Sequence, residues 1–444
     1  MLNFVNNWFA AKANPIGVDF GTDAIRLAQV QWVDGDYKLA AAATADVPSH
    51  VRNDPKARAQ FFIESMRDLL AQGKFRGRQV VLSLPAASLH MQHLRLAKMD
   101  DAALKKAIPW ESRGKFPMEP GAALVRHMIA GEINADTDPK LEVIVMAASK
   151  ATVSDYLAAA AKSRLDVVGM HVEPRVLVDC FAQVYRRKSD ADTVNAFIDI
   201  GAAGTRMIVS RGQQIFFARS VPIGGNHFTA AVASALKMNF EDAKLMRMRL
   251  ANVAPATPEL TPAATPAPLE SIAPASTGET EGFALLTAGL NAAAARLDDR
   301  HLEQPEPAST EITNPITPAT AAGRFDPAAE ERNEARKVDQ ACRDLLNKLI
   351  EELELCRRYF EGTFPSKPVE RLIFVGGEAR QRTLCQHIAR QMQLAAQLGD
   401  PLVRMARSSE IGMETGIDRR QPQPSWAVAI GLSMGAAAAV GVEA

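Results

Sequence analysis

The sequence predicts an α/β protein of more than one lobe, and three observations carry that expectation. Short apolar strand-like runs alternate with amphipathic helical stretches on both sides of a single break in composition. A strand–turn–strand built on D-x-G occurs twice, once at Asp19 to Gly21 and again at Asp199 to Gly201, near the start of each half. Between Asn252 and Pro327 lie 11 of the 26 prolines, mixed with Ala, Thr, Ser and Glu. Such a composition builds neither a core nor a regular helix, so 252–330 is expected to be a disordered insertion.

The elements follow in order. Residues 16–20 and 24–32 read as a strand hairpin, 56–72 as an amphipathic helix and 79–84 as a buried strand. A strand at 141–147, a helix at 151–162, a strand at 167–171, a helix at 174–186 and a strand at 196–200 come next. Inside the insertion, 282–300 has the apolar spacing of a docking helix. Beyond it, 332–360 is the longest helical signal, with Val338, Cys342, Leu345, Leu349, Leu353, Cys356 and Phe360 on one stripe. A strand at 371–375 and a closing set of helices complete the chain.

Composition excludes several classes. Charge is balanced, 51 Lys+Arg against 51 Asp+Glu, where a nucleic-acid binder would show a basic excess. Cys180, Cys342, Cys356 and Cys385 are scattered without a CxxC pair, which fits a reducing cytoplasm. The first residues gather Leu2, Phe4, Val5, Trp8 and Phe9 but lack the basic start of a signal peptide. They read either as an amphipathic arm for lipid or a partner, or as a short helix on their own domain. The apolar Ala/Gly-rich tail, 427–442, falls short of the roughly 20 residues of a spanning helix and reads as a buried helix tolerating close backbone approach.

The D-x-G turns carry the chemistry. An Asp at a strand end, followed by a Gly turn bearing a hydroxyl, sets a carboxylate near a metal and turns backbone N–H groups toward phosphate oxygens. Asp19, Gly21 and Thr22 form the first such turn, and Asp199, Gly201, Gly204 and Thr205 the second. Two hairpins of this kind converging on one polyphosphate are far more specific than either alone. A third element, Gly376-Gly377-Glu378-Ala379-Arg380, follows a strand and lets backbone lie flat against a base or α-phosphate. His90 and His93 lie three apart on a strand, so they face opposite ways and make a poor metal pair. Glu173-Pro174 resembles the Glu-Pro at the start of the first connecting helix in Hsp70, and a plain helix start with Pro at its first position explains it equally well.

Two D-x-G hairpins, then Gly-Gly-x-x-Arg, then an Ala/Gly helix follow the order of the phosphate and adenosine segments of the actin/Hsp70-like, duplicated ribonuclease H-like fold. Beyond the nucleotide motifs the chain resembles the PilM family of type IV pilus assembly proteins, actin-like relatives of the division protein FtsA. The resemblance rests on Val81-Leu82-Ser83-Leu84-Pro85, His93-Leu94-Arg95-Leu96, Ala107-Ile108-Pro109-Trp110-Glu111, Lys115-Phe116-Pro117, Val145-Met146-Ala147-Ala148, Val221-Pro222-Ile223-Gly224-Gly225-Asn226 and Phe240-Glu241-Asp242-Ala243.

The resemblance implies an N-terminal arm (1–13), subdomain 1A (14–88 and 166–192), an FtsA-type 1C insertion (89–165), 2A (193–225 and 369–444) and 2B (226–368). It implies ATP with Mg²⁺ between the lobes, Asp19 and Asp199 acting through the metal and its waters. It further implies a groove between 1A and 1C for the N-terminal cytoplasmic peptide of a PilN-like membrane protein. Other pilus platform components and self-association are implied too, at the cytoplasmic face of the inner membrane. Matching positions for nucleotide binding are Gly21, Thr22, Arg26, Gly201, Gly204, Thr205, Lys244, Arg247, Gly376, Gly377 and Arg380. The chain departs from the family at Ala24, where a second hydroxyl is usual, and at Arg26, where Lys is common. It departs again at Lys244 and Arg247, where an acid and Lys are usual, and at Glu378, in place of a third glycine. These departures bear on affinity and hydrolysis, leaving at most a weak ATPase. An actin-fold kinase would need a base over a substrate hydroxyl, for which Asp199 alone is placed. An FtsA-like division protein or a type II secretion platform would share the architecture.

Overall fold

The computed structural model describes residues 13–52, 54–133, 138–250, 327–406 and 411–439. The expected N-terminal arm, apart from Ala13, and the expected helix at 282–300 lie outside the described residues. So does the proline-rich insertion as far as residue 326, but its expected end at 330 is corrected: a helix already begins at Pro327.

The first lobe opens with a three-stranded antiparallel meander, β1 (Ile16–Phe20), β2 (Ala24–Val33) and β3 (Asp36–Asp46). Sequence reading passes over β3 because its Ala40-Ala41-Ala42-Ala43 run has helix propensity; burial against the neighbouring strand decides otherwise. Helix α1 (Pro55–Gly73) starts where Asp54 accepts the Lys56 N–H and Pro55 takes the first position. It buries Phe62, Met66, Leu69 and Leu70 at helical spacing and ends at Lys74 in the left-handed region. Strand β4 (Gln79–Ser83) then runs parallel to β1.

An insertion follows: β5 (His90–Ala97), α2 (Asp101–Glu111), β6 (Ala123–Ile133) and β7 (Lys140–Ser149), the strands pairing in the order β5-β7-β6. Its small core joins Leu94, Leu96, Leu141, Val143 and Val145 of the sheet to Leu104 and Ile108 of α2. Helix α3 (Lys150–Lys162) lies within the 89–165 span expected for 1C, yet Ala159 and Ala160 pack in the first-lobe core with Phe20 and Phe62. Strand β8 (Asp166–His171) closes the first sheet, β3-β2-β1-β4-β8.

The second lobe repeats that order. After α4 (Glu173–Ala182) and a short α5 (Lys188–Ala191) come β9 (Val194–Ile200), β10 (Thr205–Arg211) and β11 (Gln214–Val221) as an antiparallel meander. Helices α6 (Gly225–Leu236), α7 (Phe240–Leu250) and α8 (Pro327–Thr363) precede β12 (Arg371–Val375); α9 (Arg382–Met392) leads to β13 (Ala395–Leu398). The sheet order is β11-β10-β9-β12-β13, with β12 parallel to β9 and β13. The duplicated two-lobe fold expected from the paired D-x-G turns is therefore present.

The lobes are joined by two crossing helices. Phe181 of α4, which leaves the first sheet, packs against Phe197 of the second, ring centroids 5.3 Å apart. The last helix, α10 (Ala427–Ala439), returns to lie on β1, where the Gly17 Cα faces the Ala429 carbonyl, while Gly431 faces the Val176 carbonyl and Cys180 of α4. Small residues admit both approaches. Residues 427–434 of the tail are buried, as expected of 427–442. Among the described residues no helix is long and apolar enough to cross a membrane.

Candidate functional site

Both D-x-G turns open on one cavity of about 200 Å³ between the lobes. Parallel pairing of β1 with β4, and of β9 with β12, puts each Asp at the end of a buried central strand. Strand ends at a change of connection are where open α/β sheets form ligand crevices. Asp19, Gly21, Thr22 and Arg26 line the cavity from the first lobe. Asp199, Gly201, Gly204, Lys244, Gly376, Gly377 and Arg380 line it from the second. Two expected site residues are not at the wall. Thr205 is buried, and its hydroxyl donates to the Ile223 carbonyl at 2.7 Å. The Arg247 guanidinium is buried in a two-pronged ion pair with Glu378, at 2.6 and 3.2 Å, and also donates to Thr229.

Glu378 explains that second correction. Read as a substitute for a glycine of the loop, it fills the space beside Gly225 at the start of α6 and accepts from Arg247 and Gln381. Its charge is satisfied by α7, and it ties that helix to the second sheet. Gly376, at φ +89°, makes the turn after β12 and lies so close to Asp199 Oδ1 that a side chain there would collide with it.

The cross-strand register supplies a residue that sequence reading missed. Asp19 stands opposite Arg26 in the β1–β2 hairpin, and Asp199 stands opposite Arg206 in the β9–β10 hairpin. Arg206 is buried; its Nε donates to Asp199 Oδ2 at 3.0 Å, its Nη2 donates to the same oxygen, and its Nη1 donates to Glu173. Glu173 thus belongs to the cleft and is more than a helix start. Burial pushes Asp19 up to about 6, with Arg26 pulling it down and Asp199 pushing it further up. Burial also raises Glu173, against the pull of Arg206. Arg206 stays charged, held by Asp199 and Glu173 against the cost of its own burial. Arg380 is lowered by burial and by the neighbouring positive charge of Arg26. Arg26 and Arg380 bring two guanidinium groups to one cavity from opposite lobes, and among the described residues Arg380 bonds to the neutral groups of Gln423 and Ser425, an arrangement that an anion would relieve.

Across the mouth, Asp23 accepts from Lys244 at 2.6 Å and lies 3.4 Å from Arg52, which in turn lies 3.5 Å from Glu241. These pairs connect the first D-x-G turn to α7 across the rim. Lys244 and Asp23 keep roughly a quarter and a fifth of their side chains exposed, so solvent screens the pair. Replacing Lys244 with alanine is expected to cost about 0.5–1 kcal/mol. Hydrogen exchange should then speed up several-fold across α7 and the 21–24 turn and stay unchanged in α1.

A protein-family model described as "Type IV pilus assembly protein PilM" matches residues 17–252, just over half of the chain. The chain belongs to the PilM family. A second model, "Cell division protein FtsA", matches residues 196–431, spanning the second lobe of this PilM-family chain. Among solved structures the fold matches the "PilM-PilN type IV pilus biogenesis complex" with TM-score 0.64 and 18% identity, over 95% of this chain and 98% of that one. The ethanolamine utilization protein EutJ from Carboxydothermus hydrogenoformans matches with TM-score 0.43 and 12% identity, over 98% and 96% of the two chains. No curated protein matches by sequence. The PilM-family fold is thus the actin-like one, and its cleft lies where the two halves of that fold converge.

Whether the cleft suits Mg²⁺ is a question of donors. Mg²⁺ demands oxygen ligands in near-octahedral order. Here one oxygen of Asp199 and one of Glu173 are taken by Arg206, and Asp199 Oδ1 is hemmed in by Gly376. Among the described residues no group of three His, Cys, Asp or Glu side chains converges to hold a metal. The residues present do not fit a divalent ion at the second aspartate.

Proposed function

We propose that this chain is a nucleotide-binding scaffold of a type IV pilus assembly platform, held at the inner membrane by a PilN-like partner. Membership of the PilM family carries the assembly role, and the cleft carries the nucleotide. Two glycine turns face one another, Arg26 and Arg380 offer guanidinium forks to phosphate oxygens, and Gly376-Gly377 presents flat backbone at the far end. Gly21, Thr22, Gly201, Gly204 and Lys244 complete the binding set, with Asp19 and Asp199 anchoring the two turns at their strand ends and Arg247 holding α7 in place from behind. The partner is the short N-terminal peptide of the PilN-like protein, seated between the first lobe and the 89–165 module by backbone pairing. ATP would act by favouring a closed cleft, a shift limited by its differential affinity for the two arrangements.

Calorimetry on nucleotide-stripped protein tests the cleft. ATP is expected to bind, and Arg380→Ala to weaken it about tenfold or more, the worth of one charge-assisted hydrogen bond. Absence of ATP binding to the stripped wild type would end the nucleotide reading. For the partner, fluorescence anisotropy with a labelled PilN-type N-terminal peptide from the same genome should show saturable binding, with a Kd of about 10 µM or below. A peptide of scrambled sequence binding equally well would refute the groove.

A further inference from the structure

The repeat of the fold carries an Asp–Arg pair in each lobe, and the two pairs have different fates. Asp19-Phe20-Gly21-Thr22-Asp23-Ala24-Ile25-Arg26 and Asp199-Ile200-Gly201-Ala202-Ala203-Gly204-Thr205-Arg206 set Asp and Arg seven positions apart around a glycine turn. The hairpin register then places each Arg directly across from its Asp. Arg26 is partly buried at the cavity wall, whereas Arg206 is buried beneath the second turn, its Nη2 close to Gly201. There it lies between Asp199 and Glu173 and spends three of its N–H groups on them. A guanidinium has five such donors, so two remain.

We infer that the Arg206 guanidinium is the resident cation of this cleft, standing where an actin-like site would hold a divalent ion, so that polyphosphate is met by guanidinium groups and binds independently of Mg²⁺. The inference rests on the nucleotide reading for its ligand but not for its account of the metal. A fixed guanidinium neutralises Asp199 and fills the space beside it; a metal and its water shell would have to expel a buried, doubly bonded Arg. Guanidinium is suited to the exchange because it cannot lose its proton and binds both carboxylate and phosphate oxygens.

Two measurements on the full chain decide the matter. The first compares ATP binding to stripped protein in excess Mg²⁺ and in EDTA. The affinities should agree within about threefold, and a loss of about tenfold or more in EDTA would overturn the inference. In Arg206→Ala, or in Arg206→Met should the shorter side chain prevent folding, ATP binding is expected to acquire a Mg²⁺ dependence of about tenfold. The same metal independence in both variants would deny Arg206 the role. The second uses Mn²⁺ alone, followed by electron paramagnetic resonance without nucleotide. Wild type should leave Mn²⁺ free at concentrations of about 1 mM. Mn²⁺ bound by wild type and released by Asp199→Asn would refute the resident cation. Because this arm needs no ATP, failure of the nucleotide reading and failure of this inference are read separately.

Discussion

Gly17→Val is expected to leave little or no folded protein. The cause is geometric: a Cβ at residue 17 would run into the Ala429 carbonyl, the Ser433 amide and Leu432 Cβ, all part of the α10 helix lying across β1. Two of those atoms are backbone and cannot turn aside by changing rotamer. Ordinary overpacking of a core costs about 1–3 kcal/mol, and a clash between two backbones belongs above that range. Whole-domain stabilities are only about 5–15 kcal/mol. The same contact anchors further bonds, since Ser433 Oγ accepts the Val30 amide at 3.0 Å and donates to the Pro15 carbonyl at 2.7 Å, while the Asn14 side chain donates to the Ser433 carbonyl. Lifting α10 would break all three. Thermal denaturation followed by circular dichroism checks this: a melting temperature within a few degrees of wild type would mean that β1 and α10 can separate without loss. Gly17→Ala should be milder in the same direction.

Much of this fold can be read in the sequence because burial on both faces leaves a strong signal. The central strands β1, β4, β9 and β12 are short apolar runs, and their expected bounds agree with the structure within about two residues. Helix α8 shows its buried stripe from Val338 to Phe360 as spaced in the sequence. Elements that escape sequence reading lack that signal. Strand β3 is written in alanine. Strand β6 and helix α2 carry half-buried faces and a Pro109 within the helix, where local preference is weak. The helix expected over 174–186 ends at Ala182, and Gln183 to Tyr185 follow as a turn.

The cleft shows the same division. Glycines and aspartates fixed to strand ends were placed by spacing alone, whereas Arg206, Glu173 and Glu378 acquire their roles from pairing across strands and between distant helices. One signal for Arg206 was present: the recurrence of Arg seven positions beyond each Asp, a period visible only when the two hairpins are aligned as repeats. Nothing comparable announces that Arg247 and Glu378, 131 residues apart, form one ion pair. Charge reversal at a family position is legible in sequence; its compensation is legible only in space.

Glu142→Leu should loosen the 89–149 module from the second lobe at a cost of about 1–3 kcal/mol, the range for leaving a buried hydrogen-bonding partner unsatisfied. Glu142 of β7 is fully buried and accepts from His93 Nδ1 at 2.9 Å, Arg95 Nε at 3.2 Å and the Tyr359 hydroxyl of α8 at 2.7 Å. His93 also meets the Ala218 carbonyl of β11 at 3.2 Å and stacks on Phe217, and Arg95 reaches Thr363. One carboxylate therefore organises contacts from three elements. Arg95 and Tyr359 are partly exposed and recover water when the acid is lost, so the penalty falls mainly on His93. Burial alone would raise Glu142, but the bonds from His93, Tyr359 and Arg95 outweigh it and hold the carboxyl below the usual glutamate range. A carboxyl depressed in the folded state stabilises the fold above its unfolded pKa, and that contribution fades as the pH falls through about 4. Denaturant melts of wild type and Glu142→Leu should therefore differ most near pH 7 and converge in acid. Should the gap persist below that pH, the junction would be held by packing rather than by the carboxylate. Because the 89–165 module is also one wall of the proposed peptide groove, the variant should bind a PilN-type peptide more weakly than wild type while its ATP affinity stays unchanged. Coupled loss of both would instead show that the cleft and the groove share the Glu142 junction.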